Sequence, residues 1–173
     1  FKMKNIIPFL MLVFVSVFTV SCDNDDDNVQ YVDNDTVAGV IEITRSFQYN
    51  STTDQHYINQ SISILPSDMV LVYRLKDLSG SNNVWEQIPK TIYLNNGNEL
   101  DYDFDFTKND VQIYIGGTYD VTTTPIYYNN QKFRIVLVPA DILNKGAKAP
   151  VDYSDYNAVI KYFKINDSKV TKY

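Results

Sequence analysis

Hydrophobic and polar residues alternate with a period of two over several short stretches of this chain. The clearest stretch is 99–106, where the apolar positions are Leu100, Tyr102, Phe104 and Phe106, and the acidic positions between them are Asp101, Asp103 and Asp105. Successive side chains of a β-strand point to opposite faces of the sheet. The pattern therefore predicts a strand with its apolar residues in the core and its aspartates in solvent, since a slip of one residue would bury three carboxylates.

Two further stretches predict strands that differ in burial. From Met69 to Lys76, apolar residues alternate with a second set that ends in Arg74 and Lys76. This is typical of a half-buried strand whose outer face becomes polar. The segment 133–138 is almost wholly apolar and is followed by Pro139, so it predicts a central strand that ends at the proline.

Proline, glycine and helical spacing mark the remaining elements. A strand over 84–94 contains Pro89, which predicts a bulge or an edge position. Asn96-Gly97 follows it and favours a tight hairpin turn, because both residues tolerate positive φ. Near the C-terminus, Ser154 is the predicted N-cap of one short helix. The apolar residues at helical spacing are Tyr156, Val159, Ile160 and Phe163.

These elements predict an all-β fold over residues 37–173. We expect an antiparallel β-sandwich of about seven or eight strands with one short C-terminal helix. The 14 tyrosines and 9 phenylalanines agree with this, because both residue types favour strands. The formal net charge of −6 argues against a nucleic-acid partner. No phosphate-binding glycine motif is present, so we expect no cofactor.

The first residues predict an export signal. Lys2 and Lys4 precede an apolar run over 6–18, which has the length of a signal-peptide core and is short for a membrane span. Cys22, the only cysteine, follows soon afterwards. We predict a lipoprotein signal peptide at 1–21 and acylation of Cys22, with acyl chains that hold the protein to outer-membrane lipid. The alternative is an ordinary secretory signal followed by an unmodified thiol.

Residues 22–36 predict a flexible acidic tether between the acylated cysteine and the folded domain. Its first aspartates are Asp23, Asp25, Asp26 and Asp27. This run resembles the surface-export signal of lipoproteins in the Bacteroidota, in which acidic residues closely follow the acylated cysteine. The resemblance implies a place on the outer membrane, at the cell surface. The alternative is a solvated tether that has no role in export.

Several segments of the domain together resemble a family of small flavobacterial lipoproteins. The segments that carry the resemblance are 69–75, 84–85, Pro89, 103–107, 133–140 and 155–159. The resemblance implies a lipoprotein of the cell envelope and implies no particular activity.

Four carboxylates are candidate ligands for Ca²⁺, a hard cation that takes 6–8 oxygen ligands. They are Asp101, Asp103, Asp105 and Asp110. Alternation along one strand separates neighbouring carboxylates by about 6.5–7 Å, which is too far for one ion without loop ligands. Phe106 also occupies the position where a calcium loop needs glycine. We therefore favour a solvated acidic strand face, and keep a metal site as the alternative.

Aromatic residues are the second group of candidates. Trp85, Tyr114, Tyr127 and Tyr128 are candidate contacts for a glycan or a peptide. The alternative is that Trp85 and most tyrosines belong to the core or its margin. His56, the only histidine, follows a turn and is expected to be an exposed loop residue. Since no nucleophile motif accompanies it, we expect no enzyme activity.

Together these features predict a lipid-anchored envelope protein that acts as a binding or accessory module of an outer-membrane complex. Its expected partners are an envelope protein complex or a glycan. The alternative is an extracellular hydrolase with a carboxylate site. That chemistry needs two carboxyl groups at a set separation in one pocket, with the pKa of one of them raised.

Overall fold

The computed structural model describes residues 38–76, 83–140 and 151–173. Ten strands lie within these ranges. They are β1 (Gly39–Arg45), β2 (Gln48–Asn50), β3 (Gln55–Ser61), β4 (Met69–Leu75), β5 (Trp85–Ile88), β6 (Lys90–Tyr93), β7 (Glu99–Phe106), β8 (Asp110–Gly117), β9 (Gln131–Val138) and β10 (Thr171–Lys172). The helices described in full are α1 (Pro125–Tyr128) and α2 (Tyr156–Tyr162), and a 3₁₀ turn spans Val121–Thr123.

The strands form two five-stranded sheets. One has the order β10-β1-β9-β4-β5 and is called the covered sheet, and the other has the order β2-β3-β8-β7-β6 and is called the open sheet. All pairings are antiparallel except that of β1 with the two-residue β10. The predicted all-β sandwich with a short C-terminal helix is confirmed. The described residues contain ten strands rather than seven or eight, partly because 84–94 divides at Pro89.

The main core lies between the two sheets. Its fully buried members include Ile43, Val72, Ile88, Leu100, Tyr102, Ile113, Phe133 and Ile135. Strand β9 is central, between β1 and β4, and it ends before Pro139 as its apolar run predicts. Burial of such side chains contributes about 1.5–3 kcal/mol each relative to exposure, so this layer stabilises the packing of the two sheets.

A second apolar cluster covers the outer face of the covered sheet. Its buried members are Val40, Leu71, Tyr73, Val136 and Val138 from the strands, and Tyr156, Val159, Phe163 and Ile165 from the C-terminal segment. Helix α2 presents the predicted apolar stripe to the sheet. Its N-cap is Asp155 rather than Ser154, because the Asp155 side chain accepts a hydrogen bond from the Ala158 N–H at 3.1 Å. The described residues form no comparable layer on the outer face of the open sheet.

The alternation along β7 places its residues largely as predicted. Leu100 and Tyr102 are buried, Phe104 is half-buried, and the three aspartates are exposed. The prediction for Phe106 is wrong, because this side chain is 42% exposed. Phe106 is the last residue of the strand, beside the turn to β8, where its neighbour is the Phe104 ring at a centroid distance of 6.5 Å.

Strand β4 also differs from its prediction. It is buried on both faces, since the second sheet covers one face and the C-terminal segment covers the other. Arg74, predicted to lie on a polar outer face, is only 5% exposed. Alternation alone could not reveal this, because cover on the second face comes from residues far along the chain.

The connections show two further corrections. At Pro89 the chain passes from the covered sheet to the open sheet, so 84–94 forms two strands instead of one bulged strand. The hairpin at Asn96-Gly97 is confirmed, and joins β6 to β7. Its turn is wider than two residues: the Gly97 N–H donates to the Leu94 carbonyl at 3.0 Å, and Gly97 has φ +82°.

The predicted signal peptide at 1–21 and tether at 22–36 lie outside the described residues. So do the predicted acylation site Cys22 and the acidic residues Asp23, Asp25, Asp26 and Asp27. In the part of the chain that is described, no helix has the length and apolar character needed to cross a membrane.

Candidate functional site

The outer face of the open sheet contains a cleft between β7 and β8. The strand register pairs Asp103 with Tyr114 and Asp101 with Gly116. Opposed residues of antiparallel strands share a face, and these four alternate with the buried Tyr102 and Ile115. Two carboxylates and a tyrosine therefore surround a position that has no side chain.

Gly116 accounts for the depth of this cleft. A Cβ atom built at Gly116 meets no heavy atom within 4 Å, so the missing side chain leaves open space above the sheet. At the neighbouring Gly117, by contrast, a Cβ would lie 2.5 Å from the Glu99 carbonyl oxygen, so a larger residue would force the strands apart. The cleft has a volume of about 530 Å³, and residues from the ends of other elements complete its walls. These include Asp54, His56, Tyr119 and Asp120.

Four aspartates line the cleft, and one oxygen of each is held locally. Asp54 accepts from the Tyr49 hydroxyl at 2.8 Å, and Asp101 accepts from the Thr91 hydroxyl at 2.6 Å. Asp103 accepts from the Phe104 N–H at 2.7 Å. Asp120 accepts from the N–H and hydroxyl of Thr122 and so caps the 3₁₀ turn. Within the described residues no hydrogen bond engages the second oxygen of any of these four.

The electrostatic state of Asp120 follows from its cap. Hydrogen bonds from the Thr122 hydroxyl and N–H lower the pKa of this carboxyl, and the nearby His56 contributes in the same direction. Asp120 therefore remains ionised at neutral pH. A general acid for sugar hydrolysis requires the opposite shift.

Tyr114 is fixed at the rim of the cleft. Its hydroxyl donates to Asp105 Oδ2 at 2.9 Å, and Gln112 Oε1 lies 3.2 Å away. Partial burial, followed by the hydrogen bond to Asp105, raises the pKa of Tyr114 to about 12. The Tyr114 hydroxyl is therefore neutral at neutral pH, and its hydrogen bond to Asp105 orients the ring at the rim of the cleft.

His56 differs from its prediction as an exposed loop residue. It lies in β3 and is half-buried, and its Nδ1 atom is 2.9 Å from the Tyr128 hydroxyl. Its ring also contacts the Tyr49 ring at a centroid distance of 5.1 Å. The side chain therefore supports one end of the cleft wall through local contacts.

The structure separates the four aromatic candidates. Of these, Tyr114 lies in the cleft, whereas Trp85 is on the covered sheet, with Arg134 4.5 Å from its ring centroid and the Tyr156 ring 5.8 Å away. Tyr128 packs against Phe47 and His56. Tyr127 lines a different cavity, near Arg74. They do not form one platform.

The four metal candidates are also dispersed. Asp101 and Asp103 line the cleft, but Asp105 is bonded to Tyr114, and Asp110 accepts from the Thr107 hydroxyl beside the β7–β8 turn. Among the described residues there is no group of three or more His, Cys, Asp or Glu side chains that could hold a metal ion. The calcium alternative therefore gains no support from this geometry.

Several residues that line the cleft were not singled out from the sequence as site residues, among them Asp54, Gly116 and Asp120. Asp54 ends a polar turn and Asp120 caps the 3₁₀ turn Val121–Thr123, so a local structural role already accounts for both residues in the sequence. Gly116 had no catalytic motif around it. Only the pairing of β7 with β8 shows that its missing side chain lies beside two carboxylates. No protein-family model, curated protein or solved structure matches this chain.

Proposed function

We propose that this protein is a lipid-anchored, cell-surface binding module of the outer membrane, and that it holds a hydroxyl-rich ligand, such as a glycan, in the cleft above Gly116. The observation that carries the proposal is the cleft itself, which is about 530 Å³ in volume and lined by Asp54, Asp101, Asp103 and Asp120. This volume lies within the usual range of about 300–1,000 Å³ for ligand sites.

The hydrogen-bonding groups that line the cleft favour a ligand with hydroxyl groups over an anionic ligand. Ionised carboxylates act only as acceptors, and an oxygen of each cleft aspartate is free of partners in the described part of the chain. Sugar hydroxyls can donate to such oxygens, and the Tyr114 ring offers an apolar surface beside them. Since four aspartates and no Lys or Arg line the cleft, its composition disfavours an anionic ligand.

A second depression extends the cleft toward the edge of the open sheet. It has a volume of about 250 Å³, shares Asp101 and Asp103 with the cleft, and reaches Lys90 and Thr91 on β6. Two adjoining depressions on one sheet face suit a chain-like ligand with more than one unit.

The anchored, surface-exposed location is supported by Cys22 and the acidic residues that follow it. Acyl chains at Cys22 would hold the domain at the membrane through apolar burial of about 0.8 kcal/mol per CH₂ group. A Cys22→Ala variant is expected to leave the membrane fraction while its domain remains folded. Retention after a carbonate wash would contradict the anchor. Replacement of Asp25, Asp26 and Asp27 by Ala should keep acylation but reduce cleavage by external protease on intact cells.

The cleft is tested by filling it. Gly116→Ile should be tolerated, because a Cβ there meets open space and a β-branched residue suits a strand. The variant is expected to keep its thermal stability and lose binding on a glycan array. The matched control is Asn59→Ile, at an exposed position on β3 outside the cleft. Unchanged binding by Gly116→Ile, or equal loss in both variants, would reject the cleft.

A hydrolase is the second candidate, because several carboxylates do line one concave site. The lowered pKa of Asp120 disfavours that residue as the general acid. Any glycan retained on the array should therefore be recovered intact after long incubation. New reducing ends that disappear in Asp101→Asn or Asp103→Asn would instead establish the enzyme.

A further inference from the structure

Arg74 is a buried cation at one end of the sandwich. Its neighbours on the same face of β4 are Val70 and Val72, which belong to the core between the sheets. Arg74 itself is only 5% exposed. Burial of a charge is costly unless the charge is paired and hydrogen-bonded. The groups that contact this guanidinium therefore determine how far the cost of its burial is offset.

Those partners are aromatic rings and an amide rather than an acid. Nε donates to Gln131 Oε1 at 3.1 Å, and the guanidinium carbon lies 4.6 Å from the Tyr102 ring centroid and 5.8 Å from that of Tyr127. No carboxylate of the described residues is within 4.0 Å of it. Glu86 is opposite Arg74 in the strand register, but its carboxylate pairs with Lys76 at 3.2 Å.

Arg74 also lines a cavity. Besides Gln131, the Tyr102 side chain is a hydrogen-bond partner of this guanidinium. Since a guanidinium has five N–H donors, these two partners leave donors for a ligand. The cavity has a volume of about 280 Å³ and is lined by Arg74, Lys76, Lys90, Thr91, Tyr127 and Glu86, among others. Three cations and one carboxylate make it locally positive in a chain whose net charge is −6.

From this geometry we infer a second binding site, in which Arg74 receives the oxyanion of a small acidic molecule. The fork of two terminal N–H edges matches two oxygens of a carboxylate or phosphate group. Tyr102 and Gln131 fix the plane of the fork in advance, so little side-chain entropy is lost on binding. Lys90 at the rim adds attraction without an ion pair of its own within the described residues.

This site differs from the cleft above Gly116 in charge and shares no lining residue with it, although Lys90 and Thr91 also line the depression that extends the cleft. It therefore does not depend on the proposed function. If a glycan binds the cleft through its hydroxyls, an acidic unit at the β6 edge could occupy the Arg74 cavity, but each site can be tested alone.

The test uses the full chain in detergent at constant ionic strength. Glucuronate and inorganic phosphate are the two oxyanion probes, and methyl glucoside is the uncharged control. Calorimetric titration is expected to show binding of at least one oxyanion and none of the glucoside. Arg74→Gln should weaken that binding about tenfold or more, as loss of a charge-assisted hydrogen bond does. The stronger probe distinguishes a carboxylate ligand from a phosphate ligand.

Two further variants distinguish a loss of oxyanion binding from a loss of folding. Lys90→Gln changes an exposed rim charge and should weaken binding about two- to fivefold without a change in melting temperature. Arg45→Gln removes an exposed arginine that does not line the cavity, and should have no effect on oxyanion binding. In amide spectra, added oxyanion should shift Thr91 and Ile92 but not Gly116. Failure of both oxyanions to bind, or full binding by Arg74→Gln, would overturn the inference.

Discussion

The two sheets of this molecule differ in their outer faces, because one is covered by another segment of the chain and the other is exposed to solvent. On the covered sheet, Leu71, Tyr73 and Val136 point outward, and the C-terminal segment buries them. On the open sheet, Asp101 and Asp103 occupy the corresponding outward positions and remain exposed. Strand alternation is the same on both sheets. The difference shows that the chemistry of the second face decides whether a sheet gains a third layer or keeps a surface for ligands.

Ion pairing follows the same division. On the covered sheet, Arg134 donates from Nε to Glu42 at 3.0 Å and from Nη1 to the Tyr156 hydroxyl at 2.6 Å, with Asp167 at 3.4 Å. Its guanidinium also lies 4.5 Å from the Trp85 ring centroid. These groups satisfy one another and hold the helix to the sheet. In the open cleft, each aspartate keeps an oxygen without a partner among the described residues.

The largest effect should come from removal of apolar contacts on the covered face. Phe163 is 4% exposed, in the cluster beneath α2. Phe163→Ala is expected to lower the free energy of unfolding by about 3–5 kcal/mol, because the substitution leaves a cavity. Chemical denaturation monitored at Trp85 measures this. A loss below about 1 kcal/mol, typical of a surface change, would mean that the helix does not stabilise the sheet.

The next largest effect should come from the Arg134 pair. Glu42 is 9% exposed, so Glu42→Gln leaves the largely buried Arg134 cation with Asp167, at 3.4 Å, as its one remaining carboxylate partner among the described residues. We expect a loss of about 3 kcal/mol in unfolding free energy. The matched control is Glu86→Gln, which breaks the more exposed pair with Lys76 and should cost about 0–1 kcal/mol. Equal losses of unfolding free energy in the two variants would mean that the buried ion pair stabilises the fold no more than the exposed pair does.

Alkaline pH should weaken the covered face through Tyr156. Burial raises the pKa of Tyr156 from 10.0 to about 12, although Arg134 opposes the shift. Because the folded pKa is higher, the contribution to stability is complete below pH 10 and is lost as the pH rises toward 12. The denaturation midpoint should fall over that window, and less steeply in Tyr156→Phe. Parallel curves for the two proteins would show that the Tyr156 hydroxyl does not contribute.

A substitution on the open face should have little effect on stability. Asp103 is exposed and its only described hydrogen bond is to the adjacent N–H. Asp103→Ala should change the unfolding free energy by only about ±0.5 kcal/mol. The same denaturation assay used for Phe163→Ala provides the comparison. A cost near that of Phe163→Ala would mean that the cleft carboxylates are structural.

Calcium should have the smallest effect of all. A bound ion at a hundred times its Kd would add about 2.7 kcal/mol and raise the melting temperature by several degrees. Since no metal-binding group of three appears among the described residues, millimolar Ca²⁺ should barely change the melting temperature. A shift of several degrees that is lost in Asp103→Asn would instead place an ion at the open face.

The fold could be predicted further than the site. Alternation at 99–106, the apolar run of β9 and the helical spacing after Asp155 identified elements because each pattern is local. The cleft could not be predicted in this way. It joins Asp54, Asp103 and Asp120, which come from three different connections and strands, and its centre is a residue without a side chain. The prediction that Phe106 is buried was wrong because alternation assigns a side chain to one face of the sheet, but does not show how far the opposite sheet extends over that face.

The sequence by itself determined the all-β class, the face of each aspartate on β7 and the apolar stripe of α2, because side-chain periodicity follows directly from backbone geometry. The tertiary structure alone decided which sheet is covered, why Arg74 is buried, and how the strand containing Pro89 divides between two sheets. Those outcomes depend on contacts between segments far apart in the chain. A local pattern of polar and apolar residues cannot encode which distant surface will cover it.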